Sequence, residues 1–395
     1  MRYAALMLAL AALPQEAGAQ QRDPRLDSLQ AEIRALKARL DSLTKRDTAS
    51  GTLAQLRARA RAAGQQGESG DTARQVAGAR NLNQLNPEIS VTADLRGAVQ
   101  TEGPQHESAE LHEVEFSFQA ALDPYSHTKI FAAVHEGELE IEEGYFYYTG
   151  LPGRLRLDLG VFRQQLGELN RWHLHAVPET DYPLALTTYA GEEGLAGAGL
   201  SAYWNASLFG TQELWAQVTR GDNEGLFEGG DRPAILIHLN NFWQLGRATY
   251  MQIGASGVYG TNPDTGLTTR LNALDFRFTW RPPARAKYRE WTVRGELFAL
   301  EKERAGAGEV RYGWYIGTTY KLSQRWVGGV RYDYVEAPEG PFAVVRGVSP
   351  SLTFWQSEWV KLHAEWQYLR EAGVARNRIA LQAVWAIGPH KHELF

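Results

Sequence analysis

From residue 86 onward, apolar and polar positions alternate with a period of two. In "LNALDFRFTW", Leu274, Phe276, Phe278 and Trp280 alternate with Ala273, Asp275, Arg277 and Thr279. In "VKLHAEWQY", Leu362, Ala364, Trp366 and Tyr368 alternate with Lys361, His363, Glu365 and Gln367. In "EVEFSFQAAL", Val114, Phe116, Phe118 and Leu122 stand opposite Glu113, Glu115, Ser117 and Gln119. Successive side chains of a strand point to opposite faces, so each segment predicts a strand with one apolar and one strongly polar face. The pattern predicts 16 strands, at 88–98, 111–122, 127–136, 139–149, 154–165, 195–205, 212–220, 233–243, 247–259, 268–281, 289–302, 310–322, 325–336, 345–356, 359–370 and 376–388.

The connections alternate in length. "DPYSH", "LPGR", "LSQR" and "QSEW" read as tight turns, whereas "GDNEGLFEGGDRP", "TNPDTGL" and "EKERAGAGE" are longer and polar or glycine-rich. Short turns at one end and long loops at the other, on an even number of strands, predict an all-β fold: a transmembrane antiparallel barrel of about 16 strands over residues 86–395. A soluble sandwich would place the aromatics inside and the charges outside. The alternation alone does not separate the two.

The segment before residue 86 follows a different rule. Leu26, Leu29, Ile33, Leu36, Leu40 and Leu43 are spaced three and four apart, the a/d seam of a short coiled coil predicted over 20–56. At under three heptads it needs partner chains, or a docking surface on its own barrel, to be stable. Residues 57–85 lack a sustained apolar seam and read as a linker. Residues 1–19 read as a signal peptide: Arg2, the apolar "ALMLALAAL", and the small-residue site Ala17-Gly18-Ala19.

Composition decides in favour of the membrane. The chain has no cysteine, 39 glycines, 12 tryptophans and 17 tyrosines. After the signal, no stretch approaches the roughly 18 consecutive apolar residues of a membrane helix. An exported, cysteine-free chain rich in Tyr, Trp and Gly fits an outer-membrane barrel. Charge divides along the same boundary: residues 1–85 carry a net +5, the remainder −10. A basic front, including "RARARA", reads as a solvated linker, with contact to peptidoglycan or anionic lipid as the alternative.

The longest connection, 166–194, contains "RWHLHAVPETDYP". By the strand count it is the third long loop, long enough to fold into the lumen. Pro178 and Pro183 are expected to keep it from becoming a strand or helix, and "GEEGL" to return it to the wall. Arg171, His173, His175, Glu179, Asp181, Glu192 and Glu193 are the candidates for a pore constriction. The candidates for lumen lining are Arg156, Asp158, Asp275, Arg277, Arg294, Glu296, Lys321, Arg331, Asp333, Lys361 and Glu365. His173 and His175 form an H-x-H that reads as structural polarity of the loop or as pore lining, and that Glu179 or Asp181 could complete as a metal site. His390 and His392 form a second pair at the opposite end, so these remain weak ligand candidates, and no metal or other cofactor is expected.

Several stretches together resemble a family of Gram-negative outer-membrane proteins: "NPEISVTADL", "HEVEFSFQAALDPYSHTKIFAAV", the run from "ELEIEEGYFYY" through "RWHLHAVPETDYPLALTTYAGEEGL", and "AIGPHKHELF". Members are porin-like barrels similar to phosphate-selective porins O and P, and some are labelled zinc-regulated TonB-dependent receptors. The resemblance implies an outer-membrane barrel. A TonB-dependent receptor needs a plug and about 22 strands, more than this length holds. The terminal Phe395 matches the aromatic end common in such proteins.

The expected function is passive diffusion of small hydrophilic solutes through a homotrimeric porin in contact with lipid and lipopolysaccharide. Weak cation preference or little selectivity follows from the −10 body and the mixed inward charges, and nothing indicates a nucleic-acid partner. Two other readings compete: a barrel that anchors an envelope tether through its coiled coil, and an outer-membrane hydrolase. No nucleophile motif such as G-x-S-x-G supports the last, so no enzyme is expected.

Overall fold

The computed structural model describes residues 87–388, apart from 102–105, 136, 209, 231, 263–265 and 304–308. The signal segment, the coiled coil, the linker, His390, His392 and Phe395 lie outside the described residues. Sixteen strands form one closed antiparallel barrel in which each strand pairs with its sequence neighbours and β1 closes on β16. They are β1 (Glu88–Gln100), β2 (His106–Ala121), β3 (Ser126–His135), β4 (Glu138–Tyr148), β5 (Leu155–Arg163), β6 (Ala196–Ala206), β7 (Thr211–Arg220) and β8 (Pro233–Gln244). There follow β9 (Thr249–Thr261), β10 (Thr268–Trp280), β11 (Trp291–Lys302), β12 (Glu309–Lys321), β13 (Trp326–Glu336), β14 (Val344–Trp355), β15 (Val360–Glu371) and β16 (Val374–Ile387). The strand count and order match the expectation, and no predicted strand is missing.

The alternation sorts side chains as predicted. Leu274 is 56% exposed on the outer face, while its neighbour Asp275 is 2% exposed inside. The outward positions are Leu, Ile, Val, Phe, Trp and Tyr, and dozens of charged and polar side chains are buried. That inverts a water-soluble protein and suits a wall with lipid outside and polar groups within. Outward aromatics gather at the turn end, among them Trp204, Tyr250, Trp291, Trp326, Trp355 and Trp385, and Tyr259 and Tyr312 lie toward the other end. From Tyr250 to Tyr259 the strand rises about 30 Å at ~3.3 Å per residue. Tilted by about 40°, that gives roughly 23 Å, the height of the apolar band of a membrane barrel.

Turn chemistry closes the hairpins. Asp123 accepts from the backbone N–H groups of Tyr125 and Ser126, at 2.8 and 2.9 Å, and so folds the β2–β3 turn. Ala372 and Gly373 both have positive φ, the two-residue turn whose twist matches paired strands, and join β15 to β16. This tight hairpin sits at the long-loop end, so that end is uneven in height.

The apolar core is not a layer between sheets. It forms where the long connection folds inward and packs its own Leu166, Val177, Tyr182, Ala185, Leu186 and Tyr189 against inward apolar positions of the wall, such as Leu236, Leu271, Phe298 and Leu300. Within the connection, helix α1 spans Leu184–Ala190, and a second helix, α2 (Glu224–Phe227), lies in the β7–β8 loop. The expectation that both prolines exclude helix fails at Pro183, which is the N-cap of α1. A proline at a helix start removes an N–H that has no intrahelical acceptor in any case. Gly191, at φ +95°, ends the helix.

Candidate functional site

The inward connection crosses the lumen: its start bonds β10 and β11, and its histidines and acids bond the facing arc that runs from β13 through β16 and β1 to β4. His173 is the N-cap of a single 3-10 turn, Leu174–Ala176, and His175 lies within it, with ring centroids 6.0 Å apart. His173 is 1% exposed and meets three wall carboxylates. Its Nδ1 lies 2.6 Å from Glu115 and 2.8 Å from Glu142, and its Nε2 lies 2.7 Å from Glu143. Burial alone would lower its pKa. The Glu115 and Glu142 charges overcome that and hold it well above the usual histidine value. His175 Nδ1 lies 3.5 Å from Glu113, and its carbonyl accepts from Lys361 at 2.9 Å.

A strand normally sends adjacent residues to opposite faces, yet Glu142 and Glu143 both reach His173. The register explains this. Phe131 pairs with Glu143 and Ala132 with Ile141, so Glu142 is the extra residue of a β-bulge. A second irregularity on the neighbouring pair, where Asp94 faces Glu113 and Leu95 faces Leu111, leaves His112 as the extra residue beside Glu113.

The loop's acids meet cations on the neighbouring strands β1, β13 and β16. Asp181 accepts from Arg378 at 2.7 Å and from Gln367 at 2.9 Å, and lies 3.8 Å from Arg96. Burial would raise its pKa, but Arg378, Gln367 and Arg96 bring it below the ordinary aspartate value. Glu179 lies 3.5 Å from Arg331, which also bonds Asp333 and the Asp181 carbonyl, each at 2.8 Å. Glu365 accepts from the Thr180 N–H, and Asp333 from that of Leu184. Glu179 and Asp181 therefore do not complete a site with the two histidines; wall glutamates occupy that place.

The remaining predicted positions divide into three groups. Near the loop's start, Arg171 donates to Gln165, Arg277 pairs with Glu168 at 2.9 Å, and Arg294 lies over the Trp172 ring. Glu296 accepts from the Leu169 N–H and the Tyr315 hydroxyl, and Asp275 is its cross-strand partner. Arg156 pairs with Asp158 at 2.6 Å and covers the Tyr147 ring at 4.0 Å. Toward the turn end, Lys321 and Lys361 line a cavity of about 760 Å³, closed on one side by His175–Pro178 and elsewhere by Thr92, Thr353, Trp355 and Trp359. Glu192 and Glu193 are exposed on the loop's return, where the Glu193 carbonyl accepts from Arg163.

The site depends on residues that were not singled out from sequence. Glu113 and Glu115 had been placed on the polar face but given no role. Glu142, Glu143, Arg96, Arg163 and Arg378 carried no signal beyond their charge.

No protein-family model matches the chain, and no curated protein is similar to it in sequence. Solved structures are similar in fold. Pseudomonas putida OprB aligns at a TM-score of 0.56 and 10% identity, over 79% of this chain and 97% of that one. The trimer form of Vibrio cholerae OmpT, an outer-membrane protein, gives 0.54 and 10%, over 76% and 100%. An anion-selective porin from Comamonas acidovorans gives 0.54 and 9%, over 76% and 99%. The fold is that of an outer-membrane porin.

Proposed function

We propose that the protein is an outer-membrane porin, a passive diffusion channel for small hydrophilic solutes, narrowed by the 164–195 connection. The observation that carries this reading is the inside-out wall, apolar outward and charged inward, with a cavity of about 760 Å³ beside the inward loop that presents both charged and apolar side chains. Solutes pass on the side of β12–β16 and β1, where Lys321, Lys361, Thr92 and Thr353 line the cavity. Inward charges of both signs and a body of net −10 give weak cation preference rather than phosphate selectivity. The signal segment exports the chain, the 20–56 coiled coil and a trimeric barrel reinforce each other, and the basic linker touches peptidoglycan. The trimer form of Vibrio cholerae OmpT is a precedent for that assembly on this fold.

A second reading is favoured by one observation: the connection bonds wall residues on both sides of the lumen, as a seal would. In it, the barrel anchors an envelope tether. Planar-bilayer recording separates the two. Stepwise openings in multiples of three support the trimeric channel, and a silent barrel overturns it in favour of the anchor.

A further inference from the structure

We propose that the wall glutamates and loop histidines form a binding site for a first-row transition-metal dication, centred on Glu113, Glu115 and His175. Among the described residues, three neighbouring sets can bring ligand atoms within 4.8 Å of one another: Glu113, His135 and Glu142; Glu113, Glu115 and His175; and Glu115, Glu142 and His173. Each of the three carboxylates belongs to two sets, and each set has one imidazole. The result is a shared carboxylate centre with three imidazoles around it, not a scatter of surface acids.

Distances favour the His175 set over the His173 set. Ligands of a tetrahedral ion bound at about 2.0–2.2 Å lie roughly 3.4 Å from one another. His175 Nδ1 and Glu113 Oε1 stand 3.5 Å apart, wider than a hydrogen bond and close to that spacing. His173 instead contacts its carboxylates at 2.6–2.8 Å, hydrogen-bond lengths that leave no room for an ion between. It fixes Glu115 and Glu142 in place.

The carboxylates are also left incomplete. Glu113 and Glu115 are 2% and 1% exposed, and neither Glu113 Oε1 nor Glu115 Oε1 accepts a hydrogen bond from any described residue. Buried carboxylate oxygens without a donor are costly, and the four carboxylates of Glu113, Glu115, Glu142 and Glu143 leave a negative excess over His173 and Arg163. A dication among them offsets that charge. Mixed imidazole and carboxylate ligands suit zinc, manganese, iron or cobalt, whereas magnesium and calcium take oxygen ligands. The two bulges aim this constellation, one by bringing Glu142 inward and the other beside Glu113. Entry is open from the turn end, because His175 lines the large cavity, and half-buried His135 stands at the long-loop end.

The test uses the full mature chain, folded in detergent and stripped with chelator, titrated calorimetrically with Zn²⁺, Co²⁺, Mg²⁺ and Ca²⁺. Saturable Zn²⁺ and Co²⁺ binding is expected, with visible Co²⁺ bands of an N/O site and at least 100-fold weaker Mg²⁺ and Ca²⁺. Glu115→Gln and His175→Ala should each weaken Zn²⁺ by more than the roughly 10–100-fold of an outer-shell change. Glu301→Gln, on an exposed pair, should leave it unchanged. Heat-modifiable migration on gels identifies folded variants, and Glu113→Gln replaces any that does not fold. No saturable Zn²⁺ binding, equal binding of Mg²⁺, or unaffected variants would overturn the proposal. Conductance in metal-free buffer tests the channel reading separately, so either can fail alone.

Discussion

Arg331 is the anchor whose removal most directly tests how the inward connection is held. It is almost fully buried on β13 and reaches three groups: Asp333 at 2.8 Å, the Asp181 carbonyl at 2.8 Å and Glu179 at 3.5 Å. Asp333 in turn accepts from the Leu184 N–H at the start of α1. Replacing Arg331 with Met keeps most of the volume but strands Glu179 and Asp333 without their cation. Breaking a buried pair from one side costs about 3–5 kcal/mol. At ~1.4 kcal/mol per factor of ten, local opening becomes roughly 150 to 4,000 times more populated. The barrel should still fold, since its ladder closes without this side chain. Hydrogen exchange over residues 177–190 should speed up by that factor, with little change in β5–β10. Arg270→Met is the control, because the Arg270–Glu301 pair at 3.4 Å is exposed and such pairs contribute about 0–1 kcal/mol. Unchanged exchange in the Arg331 variant would refute the view that buried charge holds the loop.

Three further outcomes are expected. Gly313→Leu should lift α1 off the wall, because even a Cβ there would stand 2.8 Å from Ala185 Cβ and 2.9 Å from the Tyr189 ring; overpacking costs about 1–3 kcal/mol, read as faster chymotrypsin cleavage after Tyr189. Asp181 has a lowered pKa, so its stabilisation is present above the ordinary aspartate value and is lost as pH falls through the depressed one. Exchange in 177–190 should therefore rise on acidification below the aspartate range, and Asp181→Asn should show the faster rate already at neutral pH. Leu274→Arg, at the middle of β10 on the outer face, should cost about 2–4 kcal/mol in urea-titrated folding into vesicles; a neutral result would mean that this face does not meet lipid.

The strands were legible because alternation is a local signal, repeated in each segment and punctuated by turns such as that of Asp123. The inward path of the connection was legible only through its length. What its side chains meet was not, because the choice between Glu179 and Glu115 as the partner of a histidine depends on where strands far apart in sequence stand around a ring. The bulge at Glu142 was hidden for a different reason. Strict alternation sends Glu142 and Glu143 to opposite faces, and only the missing register step against Phe131 and Ala132 reveals that both point inward. Pro183 misled because a proline that stops a helix in its interior can begin one at its edge.

A closed ring of strands is stiff along its hydrogen bonds but easily squeezed into an oval. The connection from β5 to β6 is tied to β10 and β11 through Glu168 and Leu169, and on the facing arc of the ring to β2 through His173 and His175 and to β16 through Asp181. It is thus a tie-rod across the diameter. Lateral pressure from the surrounding bilayer is then borne partly by this strut and not by the hoop alone. Cutting it would alter the cross-section of the cylinder as well as its bore.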